Sequence, residues 1–460
     1  MGMGITQELS AFAAGLRPEA LPPEVMARAQ ALVLDLVGNI VRARDEAEST
    51  PALLAAVKAL GLDKGESRVF ADEATYSPAG AVLINATLGH SLDFDDTHAV
   101  AVVHPGAPVI PAAITAGEMV GASGSQVLAG IVAGYEVALR LALALPAGAH
   151  YDRGFHPSAT CGAFGAAAAA ARVFGLDAAR MESALGIALS QCAGSLQFLA
   201  NGAWTKRFQV GWAGMAGLAA ATLAREGFKG AADAIEGKQG FLRAYAPEPK
   251  PERVTQDLGQ VWELMATGVK PYPSCRWGHA GIDAALALRA EHGFKAEEIE
   301  AVTLGISRAG MLLVGEPAER KANPQNIVDG QFSGPFVIAT ALSTGQMGWD
   351  SYALLNDPSI KAMMRRVRCE NDPEIEAEFP ANMSGKLTVR ARGQDFVRKV
   401  IVPKGEPDNF LTDAELRAKF SGLADAVLGA ERAAALADTI GRMDRLNDIS
   451  SLLRSPAEAA

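Results

Sequence analysis

The pattern of hydrophobic and polar positions is helical nearly throughout from residue 6 to about residue 266. The stretch after Pro22 is an example, with one apolar face formed by Val25, Ala29, Leu32, Leu36 and Ile40. Further helices are predicted at 51–60, 78–92, 107–121, 125–145, 158–174, 178–193, 206–225 and 229–235, separated by Gly, Pro and Asp. The pattern predicts one large helical domain.

The pattern changes after Lys270. A helix is predicted from about His279 to His292, a strand at 300–307, and a hairpin of 385–392 with 395–402 around a turn at Gly393. The tail, 412–453, is helical again. We therefore predict a mainly α fold, in which a large all-helical domain of residues 1–269 is completed by residues 404–460. A smaller inserted α+β domain is predicted for residues 270–403.

Composition and charge narrow the function. The net charge of −10 argues against nucleic acid and against an anionic membrane surface as partners. The four cysteines include no C-x-x-C pair, and Gly121-Ala122-Ser123-Gly124 lacks the spacing of a phosphate loop, so neither a zinc site nor nucleotide binding is indicated. No secretory signal is recognisable. We expect a cytoplasmic enzyme without a tightly bound metal or a nucleotide cofactor.

The histidines are the first candidates for catalytic or binding residues. Five of the seven lie among Gly, Pro or Asp rather than in apolar helices. If the helix of 78–92 continues, His90, Asp93 and Thr97 share one face at i, i+3 and i+7. Two other readings stay open for this segment. Its acidic run is either a solvated helix end or a metal site with His90 and His98.

A second arrangement recurs at His104-Pro105 and His156-Pro157, where a histidine precedes a proline suited to the first turn of a helix. A helix N-terminus there would bind a carboxylate and lower the pKa of the imidazole, which leaves a neutral base. His279 also begins a predicted helix, and Lys206-Arg207 supplies cations at the start of another. Cys275 near His279 is weak support for a thiol nucleophile.

Taken in order, these segments resemble the MmgE/PrpD family over nearly the whole chain. The resemblance rests on Gly89-His90-Ser91-Leu92-Asp93-Phe94-Asp95-Asp96-Thr97 with His104-Pro105-Gly106, on Gly154-Phe155-His156-Pro157, on Thr205-Lys206-Arg207, on Lys270-Pro271-Tyr272-Pro273-Ser274-Cys275 with His279, and on Gln331-Phe332-Ser333.

The resemblance implies a large helical domain interrupted by a smaller α+β domain, a homodimer, and an active site between the two domains. Members include 2-methylcitrate dehydratase, cis-aconitate decarboxylase and iminodisuccinate epimerase, which use no metal or organic cofactor. The residues that match the family's active-site positions are Asp93, Thr97, His104, His156, Lys206 and His279. Tyr151, just before the Gly-Phe-His-Pro motif, is a further candidate.

We assign roles accordingly. His104 is the candidate proton-transfer group, oriented by Asp93 and Thr97, while Lys206, Arg207 and the helix termini at His156 and His279 hold the carboxylates of a small polycarboxylate. Tyr151 or Lys206 would return a proton in an epimerisation. The choice between acid and base stays open.

A 2-methylcitrate dehydratase-like hydro-lyase is the leading expectation, with epimerisation or cis-aconitate-type decarboxylation as alternatives. The decarboxylase branch uses a tyrosine from the small domain, and this chain has none between Tyr272 and Tyr352. Outside the family, the alternatives are a metal-dependent hydrolase and a non-catalytic carboxylate-binding protein.

Overall fold

The computed structural model describes residues 2–201 and 203–453. The chain divides into two compact units, one formed by the residues up to Gly268 together with those from Asp413 on, the other by Val269–Thr412. Residues 404–412, which the sequence assigns to the large domain, therefore belong to the smaller unit. The backbone explains the difference, because Lys404 N donates to Asp283 Oδ2 at 2.7 Å and Val269 N donates to Gly405 O at 2.9 Å.

The large unit is built from helices. Before the smaller unit these are α1 (Ile5–Gly15), α2 (Pro23–Glu46), α3 (Thr50–Ala59), α4 (Pro78–Gly89), α5 (Gly106–Val120), α6 (Gly124–Ala144), α7 (Ala147–Asp152), α8 (Pro157–Val173), α9 (Ala178–Leu189), α10 (Thr205–Arg225), α11 (Phe241–Tyr245) and α12 (Glu252–Thr255). Two short antiparallel pairs accompany them: β1 (Ser67–Arg68) with β2 (Thr75–Tyr76), and β3 (Thr97–His98) with β4 (Thr267–Gly268).

Several predicted helices differ from the observed ones at their ends. The helix predicted at 78–92 ends at Gly89, and that predicted at 178–193 ends at Leu189. The helix predicted at 229–235 is wrong, since residues 229–231 are irregular and residues 232–235 form turns. It is short, and Asp233 adopts a left-handed backbone at φ +50°, which interrupts helical hydrogen bonding.

Small residues let the central helices approach closely. A Cβ atom added to Gly134 of α6 would lie 2.7 Å from the Gly165 carbonyl oxygen of α8, and one added to Gly165 would lie 2.7 Å from the Gly134 carbonyl oxygen. The two helices therefore cross at paired glycines that no other residue could replace without movement. The abundance of Ala and Gly in the sequence has its physical explanation in this close packing.

Helix α6 is long and apolar enough to cross a membrane by length and composition alone. However, 94% of its most apolar window is buried inside the protein. Such burial is that of a core helix, whose apolar side chains pack against neighbouring helices.

The smaller unit combines helices with one sheet. Its helices are α13 (His279–His292), α14 (Arg308–Gly310), α15 (Ala318–Lys321), α16 (Ile327–Gln331), α17 (Gly334–Thr344), α18 (Pro358–Met364) and α19 (Pro373–Glu376). Its strands are β5 (Ile299–Ile306), β6 (Val367–Asn371), β7 (Gly385–Ala391) and β8 (Gln394–Val400), in the spatial order β6-β5-β7-β8. Strand β6 is parallel to β5 and the other pairs are antiparallel.

The tail forms α20 (Asp413–Leu428) and α21 (Ala430–Gly441), and α20 packs against α2. Lys419 of α20 forms a buried ion pair with Asp35 of α2. A mainly helical fold with a smaller α+β part is thus confirmed. The predicted hairpin at 385–402 is also present, whereas β6 was not predicted, because its short run of alternating polar residues carries little hydrophobic signal.

Candidate active site

The motif after α4 forms a loop rather than a continued helix. Helix α4 ends at Gly89, Asp93 has a left-handed backbone at φ +53°, and Thr97 lies in β3. The expectation that His90, Asp93 and Thr97 share one helical face is therefore wrong, because a positive φ at Asp93 breaks the helical path. The loop instead directs its carboxylates towards different partners.

The first partnership joins His90 to Asp95. Their side chains are fully buried, and His90 Nδ1 donates to Asp95 Oδ2 at 2.7 Å. An ionised carboxylate can only accept, so the proton of this bond belongs to the imidazole. Sequence analysis placed His90 beside the acidic run as a candidate metal site, but it did not predict this hydrogen bond to Asp95.

His104 lies just before α5 and is held at its Nδ1 atom. Nδ1 lies 2.8 Å from the Asp96 carbonyl oxygen, 3.3 Å from Thr97 Oγ1 and 3.6 Å from Asp95 Oδ2. Because the carbonyl oxygen accepts, Nδ1 carries the proton, and in the neutral ring the lone pair resides on Nε2. The His104 backbone N–H donates to Ser158 Oγ at 3.0 Å, which holds the backbone of His104 against α8.

His156 is the N-cap of α8, with Pro157 in the first turn as the sequence indicated. Gln209 Nε2 donates to the Ser195 carbonyl oxygen at 2.9 Å, so Gln209 Oε1 faces His156 Nδ1 at 3.1 Å and accepts its proton. Burial, and then the nearby positive groups, holds the pKa of His156 well below its usual value. The ring is therefore neutral at pH 7, chiefly through burial rather than through the helix dipole that the sequence suggested.

The three imidazoles lie together. The ring centres of His90 and His104 are 4.8 Å apart in an edge-on arrangement, and those of His90 and His156 are 6.1 Å apart and nearly parallel. Ligand atoms of His90, Asp95 and His104 all lie within 4.8 Å of one another, as a shared metal ion would require. His98, the other histidine considered for a metal, instead accepts from Ala101 N at 3.0 Å.

Lys206 adds a cation to this group. Lying in the first turn of α10, it donates from Nζ to Asp93 Oδ1 at 2.6 Å. Burial lowers the pKa of Lys206, but Asp93 and Asp95 raise it by more, so the pKa lies above its usual value and the ammonium is charged at neutral pH. The charge of Lys206 also depresses the pKa of His156.

Two other predicted residues interact electrostatically with Lys206 or with its partner Asp93. Burial raises the pKa of Tyr151, and the charge of Lys206 lowers it. Arg207 Nη1 donates to Ser49 Oγ at 3.3 Å. Burial lowers the pKa of Arg207, while the carboxylates of Asp93 and Glu48 act in the opposite direction.

A buried carboxyl group that sequence reasoning did not single out supports the loop. Asp96 Oδ2 accepts from Tyr135 Oη at 2.7 Å, and Asp96 Oδ1 accepts from Gly106 N at 3.1 Å. A Cβ atom on Gly106 would lie 2.8 Å from Asp96 Oδ1, so glycine is needed for this approach. Burial, followed by the charge of Asp95, raises the pKa of Asp96 well above its usual value.

His279 belongs to the smaller unit. It begins α13 as the sequence indicated, is buried, and lies with Nε2 3.1 Å from the Ser274 carbonyl oxygen. The Tyr272 ring meets it edge-on at 5.3 Å. The large unit thus brings together Asp93, Thr97, His104, His156 and Lys206, with Tyr151 and Arg207 close to the lysine or its partner. Their catalytic roles, and that of His279, stay predictions.

Comparison with known protein families agrees with the motifs. The model of the MmgE/PrpD N-terminal domain matches residues 7–254, and that of the MmgE/PrpD C-terminal domain matches residues 272–444. The chain belongs to the MmgE/PrpD family. The resemblance carried by the five sequence segments is thereby confirmed.

Curated members of the family provide individual relatives. A cis-aconitate decarboxylase-like protein of Aspergillus oryzae is 27% identical over 98% of this chain and 96% of the relative. A cis-aconitate decarboxylase of Aspergillus terreus is 26% identical over 98% of this chain and 95% of its own. The cis-aconitate decarboxylase of Mus musculus is 27% identical over 82% of this chain and 78% of its own.

Proposed function

We propose that this protein is a cofactor-independent lyase or isomerase that moves protons next to a carboxylate of a small polycarboxylate. The observation that carries the proposal is the state of His104. Its Nδ1 proton is held by the Asp96 carbonyl oxygen at 2.8 Å, so the neutral ring offers Nε2 as a base. A base held in one tautomer within a largely buried site is suited to removing a proton from carbon.

The neighbouring groups supply the electrostatics that such a reaction needs. Proton removal beside a carboxylate develops enolate-like charge, and a fixed cation stabilises that charge. The Lys206 ammonium meets this need, while its 2.6 Å bond to Asp93 holds it in place. Neutral His156 can donate or accept a hydrogen bond without adding a second full charge to the buried site.

The first candidate reaction is dehydration of the 2-methylcitrate type. Here His104 removes a carbon-bound proton and a protonated group assists the departing hydroxyl. Epimerisation is an alternative in which a second group, Tyr151 or Lys206, returns the proton from the opposite face.

Decarboxylation is the second candidate, because the relatives described above are cis-aconitate decarboxylases or a decarboxylase-like protein. The family resemblance implies that the decarboxylase branch uses a tyrosine of the small domain. This chain has no tyrosine between Tyr272 and Tyr352. The hydroxyls of these two flanking tyrosines donate to Asp283 Oδ1 at 2.6 Å and to the Pro273 carbonyl oxygen at 2.5 Å. Because no small-domain tyrosine lies between these two, we rank dehydration above decarboxylation.

The test is a product assay by NMR in deuterated water. Methylcitrate, citrate, cis-aconitate and iminodisuccinate are incubated in turn with the full chain. Dehydration yields an alkene, decarboxylation releases carbon dioxide, and epimerisation incorporates deuterium with inversion. We expect one of these changes for at least one acid. Failure of all four acids to react or to exchange deuterium would count against the proposal.

A further inference from the structure

His90 carries a buried ring nitrogen that the proposed mechanism leaves unused. Its side chain is fully buried, and its Nδ1 atom donates to Asp95. Nε2 has no hydrogen-bond partner within the described part of the chain. A buried polar atom without a partner is unfavourable unless a ligand or water satisfies it, so this nitrogen needs an occupant beside it.

The surroundings of His90 are those of the candidate site. His104 meets the His90 ring edge-on at 4.8 Å, and the His156 ring lies nearly parallel to it at 6.1 Å. These two histidines and Asp95 are titratable groups that face His90, and they come from its own loop, from the segment before α5 and from the start of α8. An occupant at His90 Nε2 would therefore share the site with the proposed base.

One carboxylate serves two of these rings. Asp95 Oδ2 lies 2.7 Å from His90 Nδ1 and 3.6 Å from His104 Nδ1. It can stabilise an imidazolium at either position, while two imidazoliums at this separation would repel each other. The two rings therefore share one carboxylate as their counter-charge.

We propose that His90 is a second acid–base residue, whose Nε2 atom contacts the substrate and exchanges protons in partnership with His104. This inference rests on the proposed function and adds a residue to it. Asp95 has the role of a positioning residue that keeps the proton on Nδ1 of His90 and compensates the charge of whichever ring is protonated.

The proton balance can be followed through a dehydration. His104 Nε2 takes the carbon-bound proton, the C–H electron pair becomes the new C=C bond, and the C–O bond breaks. The leaving oxygen departs as water with the proton that His90 Nε2 donates. His104 has then gained one proton and His90 has lost one, so transfer of a single proton between them, directly or through the product water, restores the starting state.

The matched variants are His90→Gln and His150→Gln in the full chain. His150 is also buried, but Nδ1 lies 3.0 Å from the Tyr245 carbonyl oxygen and Nε2 lies 3.1 Å from Thr160 Oγ1, so its role is structural. We expect His90→Gln to lower turnover by about 10²–10⁴-fold and to remove the alkaline limb of the pH–rate profile. His150→Gln should keep the shape of that profile, even if its thermal midpoint falls by as much as that of His90→Gln.

Asp95→Asn provides a second readout. It removes the charge that stabilises the His90 imidazolium, so the alkaline limb of the pH–rate profile should move to lower pH. A purely structural role would lower turnover of both variants and leave the limbs in place. That result, or wild-type turnover in His90→Gln, would overturn the proposal.

A binding measurement keeps the test independent of turnover. The chain has seven histidines, so NMR of protein labelled with 15N-histidine can follow each ring, and His90→Gln identifies the His90 signals. Citrate, the probe, should shift the His90 Nε2 signal. If wild-type protein converts no acid but this shift occurs, the reaction class fails and the contact at His90 is retained. If citrate leaves the signal unchanged, the role of His90 is rejected, whatever the turnover.

Discussion

Lys419 Nζ lies 3.8 Å from the centre of the Phe94 ring and donates to the Phe94 carbonyl oxygen at 2.7 Å. The same ammonium forms a buried ion pair with Asp35. Phe94 lies between Asp93, which holds Lys206, and Asp95, which holds His90. The C-terminal helix α20 therefore fixes the loop that supplies two carboxylates to the candidate site.

Lys419→Met should consequently reduce both stability and turnover. Removing the ammonium takes a buried charged partner away from the Asp35 carboxylate, and breaking a buried ion pair from one side costs about 3–5 kcal/mol. A shift of the loop by about 1 Å would lower turnover on the order of 10²-fold. Thermal unfolding and turnover, measured on the same preparation, give both quantities.

The double variant Asp35→Leu with Lys419→Met separates the two effects. It removes the Asp35 carboxylate together with the ammonium, so the thermal midpoint should recover. Turnover should remain low, because the Phe94 carbonyl oxygen and ring have still lost their contacts with Lys419. Full recovery of turnover would mean that the loop does not depend on Lys419.

Lys206→Met should cost far more activity than stability. Methionine is a comparable helix former, so α10 should persist, but the ammonium that stabilises developing negative charge is lost. We expect a loss of about 10²–10³-fold in turnover, or roughly 2–4 kcal/mol. Arg225→Met, at the other end of α10, is the matched control and should leave turnover near the wild-type value. Similar turnover in both variants would remove Lys206 from the site.

Activity should persist without metal. The group that could hold an ion consists of His90, Asp95 and His104. Its members already form hydrogen bonds through Asp95 and through the Nδ1 atoms of both histidines. The proposed proton transfers therefore need no bound ion. The check is elemental analysis of protein purified without added ions, with turnover before and after chelation. Stoichiometric metal lost together with activity would favour the metal-dependent hydrolase instead.

Glu118 should make stability depend on pH. Burial raises the pKa of this carboxyl group to about 7 from an ordinary value of 4.5, and its Oε2 atom has no hydrogen-bond partner among the described residues. The folded state therefore binds more protons than the unfolded state, and stability should fall as pH rises from 4.5 through 7. Glu118→Gln should be more stable than wild type at pH 8, by about 1–3 kcal/mol.

Two comparisons sharpen this prediction. The difference between Glu118→Gln and wild type should be small near pH 4.5, where the carboxyl group is protonated in the folded state and about half protonated in the unfolded state. Glu226→Gln, at a side chain that is 68% exposed, should show no comparable gain at pH 8. Denaturant unfolding of the three proteins at both pH values is the measurement. An equal gain at pH 4.5 and pH 8 would contradict a titrating Glu118.

The sequence by itself determined the helices and much of the candidate site's composition. Helical period is a local property, so the course of α2, α5 and α6 could be predicted within a few residues. The His156-Pro157 pair predicted the start of α8, because proline suits the first turn of a helix. The motifs also identified the family, since five segments in a fixed order carry that information.

Only the tertiary structure decided which side chains meet. The left-handed backbone at Asp93 turned a supposed helical face into a loop, and this turn allowed Lys206, 113 residues later, to reach the Asp93 carboxylate. Gln209 reaches His156 across 53 positions and Tyr135 reaches Asp96 across 39. Such pairings depend on helix packing and on burial, which act between distant segments. They could therefore not be predicted from a local period or spacing in the sequence.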